Sequence, residues 1–569
     1  MKCSLTLVVL LFASSALITA QGGPPIPQGR GAAPGRGPAR DTRERPAGTA
    51  VLRGRVVTAD TGTAIRRAQI RAASASSSDT RLVTSDAQGM FEFRDLPAGR
   101  WELTASKAGF VTMRFGQRRP FEAGRPIEIA DGQVIERVNL MLPRGAAITG
   151  RVFDEFGDPV AGARLQAMRY QLVQGVRRLS PIGAMAQSDD TGAFRLYGLM
   201  PGDYYVSAIL RAFPMDNSDD PSGYAPTYYP GTGSVAEAQA ISLAVSQEAN
   251  ISFALMPVRT ARVSGRVVNS AGVPLAGVVM LAGSDAVAGP AVLGAGDRIR
   301  VDGTFVLTNV APGSYALTAT SGGLGGRFGG DVEFEMGSLP VTVAGEDLTG
   351  ITLVTSRGAT LSGTVVTTEG SGPSLAMNGI QVNAQSVPFE RGPGAGTRPA
   401  RVNADGTFTL TNLFGARAIR VSGVPEGWML DAVRIAGVDV TDTLVEFGPN
   451  DTIADVEVAL TSRVTQVSGS VAGPDGKPSR DFSVVVFPDD ETKWAAPSRF
   501  VRSARPDQDG LFKIGALPPS DGYLAVAVDY LEQGEGSDPE FLELIRDRAT
   551  RFRLSAGEST TVNLKLVER

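Results

Sequence analysis

The sequence predicts an all-β protein, a tandem array of five antiparallel β-sandwiches with one short helix near the C-terminus. Three recurrences carry that prediction. A strand opening Gly-x-Val occurs at Gly54-Arg55-Val56, Gly150-Arg151-Val152, Gly265-Arg266-Val267, Gly363-Thr364-Val365 and Gly469-Ser470-Val471, about one domain length apart. In mid-repeat a glycine turn is followed two residues later by phenylalanine: Gly89/Phe91, Gly192/Phe194, Gly303/Phe305, Gly406/Phe408 and Gly510/Phe512. Each repeat then closes on an alternating strand, at 138–142, 251–255, 351–354, 456–460 and 562–566. Period-two alternation means one buried and one wet face, and short strands separated by turn signals make sandwiches.

In chain order, Lys2, the apolar run Leu5 to Ala16 and the small residues Thr19 and Ala20 predict a secretory signal over residues 1–20, cleaved before Gln21. The apolar run is too short to span a bilayer, and Cys3 precedes it, so Cys3 is not a lipid attachment site. Residues 21–48 are rich in Pro, Gly and Arg and read as a disordered tether. The repeats follow at 49–144, 145–258, 259–357, 358–463 and 464–569. Acidic residues precede the mid-repeat glycines (Asp86, Asp190, Asp302, Asp405, Asp509), and Asp with Gly is tight-turn chemistry. A second glycine turn carries an aromatic two residues on, in Gly99/Trp101, Gly202/Tyr204 and Gly313/Tyr315; the fifth repeat keeps Tyr523 and the fourth has lost the aromatic. Asp538 as cap and Pro539 at the first position predict a helix to about Thr550, with Phe541, Leu544, Ile545 and Ala549 on one face. Linkers between repeats are a few residues long. Five sandwiches of about 35 Å set end to end would form a rod of at most ~175 Å.

Composition excludes much chemistry. The 569 residues include no histidine and one cysteine, so a Ser-His-Asp triad, a Cys-His pair and a His-ligated zinc have no ligands or bases here. None of the lysines beyond the signal stands in Ser-x-x-Lys. Gly322 to Gly330 lacks the Gly-Lys-Ser/Thr and the helix that phosphate cradling needs. A net charge of −4 gives no electrostatic case for nucleic acid. We therefore expect no catalytic residues, no metal and no cofactor, and no membrane span in the mature chain. The turn aspartates, taken singly, fall short of the six or more oxygens calcium requires and read as turn residues; the denser Asp216-Asn217-Ser218-Asp219-Asp220 could bind calcium but reads first as a solvated loop.

The Gly-x-Val opening, the Pro-x-x-Gly-Ala turn, the Asp-x-x-Gly-x-Phe turn and the Leu-x-Pro-Gly-x-Tyr turn resemble the carboxypeptidase regulatory-like domain. The resemblance covers residues 50–569 as tandem copies and is strongest in the first three. It implies a transthyretin-like sandwich of about seven strands in an exported bacterial protein, and glycan binding by analogy with carbohydrate-binding-like folds. It concerns an accessory domain of metallocarboxypeptidases, not their activity.

Aromatics outside the strand pattern are the candidate ligand-binding residues. Tyr224, Tyr228 and Tyr229 lie with Pro226 and Pro230 in the insertion that lengthens the second repeat. Rigidly held tyrosines offer amphipathic faces to sugars or protein partners. Trp428 and Trp494 are the next candidates. Two functions follow: a non-catalytic exported binding protein for carbohydrate or an envelope protein, or a passive structural rod. The destination is periplasmic, cell-surface or extracellular. Exposed aromatics favour binding; buried Tyr228 and Tyr229 favour the rod.

Overall fold

The structure, a computed structural model, describes residues 48–568 apart from 75–78, 120, 174, 211–221, 284–292, 322–333, 369–374 and 387–397. The expected signal, nearly all of the tether, Cys3, the Asp216 to Asp220 run and the Gly322 to Gly330 stretch lie outside the described residues. Among the described residues no helix is long and apolar enough to cross a membrane.

In the first repeat, β1 (Ala50–Thr58), β2 (Gln69–Ser74), β3 (Thr80–Thr84), β4 (Met90–Leu96), β5 (Gly99–Ser106), β6 (Met113–Arg114), β7 (Ile127–Ile129) and β8 (Val134–Leu142) form two sheets. One has the order β4-β1-β8; the other runs β3-β2-β5-β6, with β7 also on β5. Their inner faces meet in a core that includes Leu52, Val56, Ile70, Phe91, Trp101, Leu103 and Leu140. A strand with one buried face must cover it with a second layer, and two such sheets cover each other. Buried clusters of the same kind lie within residues 146–255, 261–353, 359–460 and 467–564.

Most ladders are antiparallel, and the parallel ones involve the closing strand, which in the fifth repeat also runs parallel beside Ser520–Val528. The opening strand pairs antiparallel with the mid-repeat Phe strand and parallel with the closing strand, in all five repeats. Alternation in a strand does not reveal its direction, so the sequence pattern alone suggested a wholly antiparallel arrangement. Parallel neighbours need a long crossover, which the intervening strands supply. The chain consequently leaves each repeat at the end opposite its entry.

The two repeated motifs are halves of one contact. Gly54, Gly150, Gly265, Gly363 and Gly469 are the Cα partners of Phe91, Phe194, Phe305, Phe408 and Phe512. All five phenylalanines are buried. A Cβ on any of the five glycines would overlap the carbonyl oxygen of the closing strand, at Val138, Ile251, Ile351, Val456 or Val562. At Gly54 it would also stand 2.6 Å from the Phe91 ring. The opening position must be glycine because the closing strand's backbone occupies the space of a side chain in every repeat.

The turn aspartates work through backbone amides. Asp86 accepts from the amides of Gln88 and Met90 at 2.9 and 2.8 Å, and Asp302 and Asp405 accept from Thr304 and Thr407 at 3.0 Å. In the second and fifth repeats the capping carboxylate is Asp189 and Asp507, not Asp190 and Asp509. Those two stand three residues before the glycine, as Asp86 does, from where the carboxylate reaches the amides across the turn.

The second glycine turn carries an aromatic corner. The Tyr204, Tyr315 and Tyr523 hydroxyls donate to the carbonyls of Met200, Ala311 and Pro518 at 2.8 Å, and Trp101 Nε1 donates to Pro97 at 3.1 Å. The fourth repeat puts Arg417 in this place. Its buried guanidinium donates from Nε to the Phe414 carbonyl at 2.7 Å, so the polar tip survives while the ring does not.

Helix α1 (Pro539–Arg546) starts with Asp538 accepting from the Glu540 amide at 3.2 Å. Its buried side chains are Phe541, Leu542 and Ile545, which roof Val485, Phe487 and Trp494. Leu544, expected on that face, is 69% exposed. The sheet contacts one edge of the predicted stripe, so Leu542 takes the inner place. The helix also ends earlier than expected, because a strand begins at Thr550.

The end-to-end rod is not what the chain forms. The fifth repeat returns to the first and second: Arg118 pairs with Asp481 at 3.1 Å, Arg119 with Asp529 at 3.0 Å and Arg169 with Glu532 at 2.9 Å. Short linkers limit hinge motion but do not set the direction of successive repeats, which these side chains do.

Phe305→Ala is expected to destabilise the third repeat by about 3–5 kcal/mol in denaturant unfolding, the cost of an emptied core ring site. Alkaline pH is expected to weaken the fold. Burial pushes the Tyr204 and Tyr530 phenols up from 10.0 to about 12. Above pH 10 unfolded phenols lose protons that folded ones keep, so stability falls as pH rises from 10 to about 12. A thermal melt series across that window, compared with Tyr204→Phe, measures the effect.

Candidate functional site

The second repeat's insertion forms strands, and each ties it down. Ser222–Tyr224 pairs antiparallel with Pro257–Arg259, the segment leading into the third repeat. Thr227–Tyr228 pairs with the edge of Gly202–Ile209. The Thr227 hydroxyl donates to the Ala225 carbonyl at 2.8 Å and accepts from the Met256 amide at 2.9 Å. A fully buried threonine thus bonds the insertion to the exit strand of its own repeat.

These contacts decide what the tyrosines can do. Tyr228 is buried against Met168 and Leu179, so its ring has no face for a ligand. Tyr229 is half-buried and meets Phe253 edge-on, with centroids 6.0 Å apart. Tyr224 is half-buried and donates to a Glu155 carboxylate oxygen at 2.6 Å. Burial, and then the neighbouring Glu155 charge, hold its phenol well above the ordinary range. The insertion brings the three tyrosines close in sequence but spends Tyr228 and Tyr229 on its own sandwich.

The tryptophans are core residues as well. Trp428 is buried in the fourth repeat's core. Trp494 is buried under α1, donating from Nε1 to the Pro488 carbonyl at 2.7 Å and meeting Phe487 edge-on at 5.6 Å. Neither joins the tyrosines in one site. Lack of alternation drew attention to both, but a ring outside the strand pattern can still fill the end of a core.

Two clefts remain. The first, about 450 Å³, lies beside Tyr224 and is lined by Glu155, Ser222 and Arg259. The second, about 670 Å³, lies between the first two repeats with Arg67, Lys107, Phe110 and Tyr197 on its walls. Sequence reasoning missed Tyr197, which is 53% exposed. Alternation with buried Phe194 and Leu196 was the signal, since it leaves Arg195 and Tyr197 facing outward. These walls offer hydrogen bonds, charge and ring faces, the means of holding a ligand. Among the described residues no group of three or more Asp, Glu or Cys side chains is placed to hold a metal.

Trp494→Ala is expected to cost about 3–5 kcal/mol of stability, read from a chemical unfolding curve. An exposed stacking ring would leave that curve nearly unmoved.

Residues 51–143 match the carboxypeptidase regulatory-like domain family. No curated protein matches the chain. Among solved structures, the chain is similar to the Bacillus anthracis TIE protein at 13% identity and a TM-score of 0.16, covering 54% of this chain and 51% of that one. The chain thus spans about half the length of that protein. It is similar to the Streptococcus agalactiae minor pilin GBS52 at 14% identity and a TM-score of 0.22, covering 37% of this chain and 98% of the pilin. The major pilin subunit BcpA of Bacillus cereus is matched at 10% identity and a TM-score of 0.13, over 54% of this chain and 99% of BcpA. The opening-strand ladder and Gly–Phe contact found within the matched residues 51–143 recur in the four repeats that follow.

Proposed function

We propose that the chain is a non-catalytic structural protein of the cell envelope, exported by its N-terminal segment and built from sandwich domains at 49–144, 145–258, 259–357, 358–463 and 464–569. The observation that carries this reading is the use of the candidate aromatics: Tyr228, Trp428 and Trp494 are buried and Tyr229 packs on Phe253. The tyrosine insertion fastens one repeat to the start of the next, which is a scaffold's need. The missing histidine supports a non-catalytic role.

Binding of carbohydrate or an envelope protein is the second reading, favoured by the cleft at Tyr224, where a half-buried ring stands beside a carboxylate and Arg259. A cleft of this size suits a small ligand.

Cell fractionation with protease shaving, followed by glycan-array and envelope-extract binding of the purified chain, tests both. The structural reading expects an exported chain with no saturable glycan binding. Saturable binding that Tyr224→Ala weakens by more than about fivefold, in a variant that melts normally, would establish the second reading instead.

A further inference from the structure

The segment of the first repeat between β6 and β7 is the hub of the contact with the fifth repeat. Arg118 and Arg119 reach Asp481 and Asp529, and Arg125 donates to the Asp507 carbonyl at 2.6 Å. Gln508 exchanges two hydrogen bonds of 3.1 Å with the main chain of Glu128. The Gln533 amide donates to the Phe121 carbonyl at 3.0 Å. From the second repeat, Arg169 lies over the Phe121 ring at 3.7 Å and reaches Glu532. One pair has the opposite polarity: Glu122 meets Arg505 at 2.5 Å, both side chains 2% exposed.

The contact is polar, combining ion pairs with the Gln508 and Gln533 hydrogen bonds and an isolated antiparallel bridge between Glu122 and Glu532. The hydrophobic clusters of the first and second repeats take in each other's Met200 and Phe121, but none of them includes a residue of the fifth repeat. The clusters of the fifth repeat likewise contain only its own residues. The outer pairs are open to solvent and therefore to salt, with Arg118 65% and Arg119 48% exposed. The buried pair adds little net stability, because closing strips both charges of water. Arg505 Nε and Asp529 Oδ1 are buried without a protein hydrogen-bond partner, a cost that separation of the repeats relieves. Glu122 keeps two amide donors from its own loop, Arg118 and Arg119, whether or not Arg505 is present.

We propose that this contact is a reversible electrostatic clasp, which holds the fifth repeat on the first two at low ionic strength and releases it when salt screens the arginine–carboxylate pairs. The surface uncovered on release is a strip of arginines, Arg118, Arg119, Arg125 and Arg169, facing the acidic Asp481, Asp529 and Glu532. The proposal concerns the chain's internal geometry and stands whether or not the protein binds a ligand.

Small-angle scattering and sedimentation velocity of the purified chain at about 0.05 M and about 1 M NaCl test it, because the screening length falls severalfold over that range. The clasp predicts a larger radius of gyration at high salt, with unchanged circular dichroism and the mass of one chain. Arg119→Asp removes one exposed pair and adds repulsion, so it shifts the open-to-closed ratio by roughly fivefold or more at intermediate salt. Combining it with Asp529→Arg restores the wild-type salt response, which a merely damaged fold would not allow. A salt-independent radius, failure of the charge exchange to restore closure, or expansion accompanied by a doubled mass overturns the intramolecular clasp.

Discussion

The structure turns on the contact between a glycine in each opening strand and a phenylalanine in the strand beside it. The opening strand lies within its sheet, with the Phe strand on one side and the closing strand on the other. A side chain at the glycine would strike the closing strand's backbone in all five repeats. First, middle and last segments of a repeat, some ninety residues apart in sequence, are thereby committed to one another. The Asp turns before the phenylalanines and the aromatic corners after them fix where the neighbouring strands bend back. Each corner satisfies its polar tip within its own turn, so a large ring is buried without an orphaned donor.

With cores so defined, the joints between repeats determine what the chain can do. The extra length of the second repeat lies at such a joint, where Ser222–Tyr224 takes Pro257–Arg259 as its partner strand. Between the fourth and fifth repeats, Arg499 grips both oxygens of Asp442 at 2.7 Å. The return of the fifth repeat to the first uses the same vocabulary of arginine, carboxylate and main-chain carbonyl. Such interfaces orient domains without merging their cores, and they respond to ionic conditions that leave the sandwiches intact.

Local rules made the sandwiches legible. Glycine, aspartate and phenylalanine at set offsets state their own geometry, and Asp538-Pro539 announces a helix start that the structure realises. The misreadings have local causes too. Asp190 and Asp509 lie nearest their glycines, but reach across the turn belongs to Asp189 and Asp507. Leu544 fits a helical stripe, yet the sheet beneath α1 meets Leu542. Arg417 hides in the sequence as the loss of an aromatic, although it preserves the hydrogen bond that the corner requires. Tyr228, Trp428 and Trp494 drew attention by breaking strand periodicity, which marks irregular backbone and not exposure. The meeting of Arg119 with Asp529 had no local signal, because it depends on the summed directions of the joints between them.

The central claim is that the opening glycine holds each repeat's sheet together, and hydrogen exchange on Gly150→Ala tests it most directly. The account predicts loss of amide protection in Ala146–Phe153, Ala193–Leu199 and Glu248–Ala254, while Ala261–Val268 and Ala359–Thr367 in later repeats keep theirs. Unchanged protection across the three strands of the second repeat would contradict it.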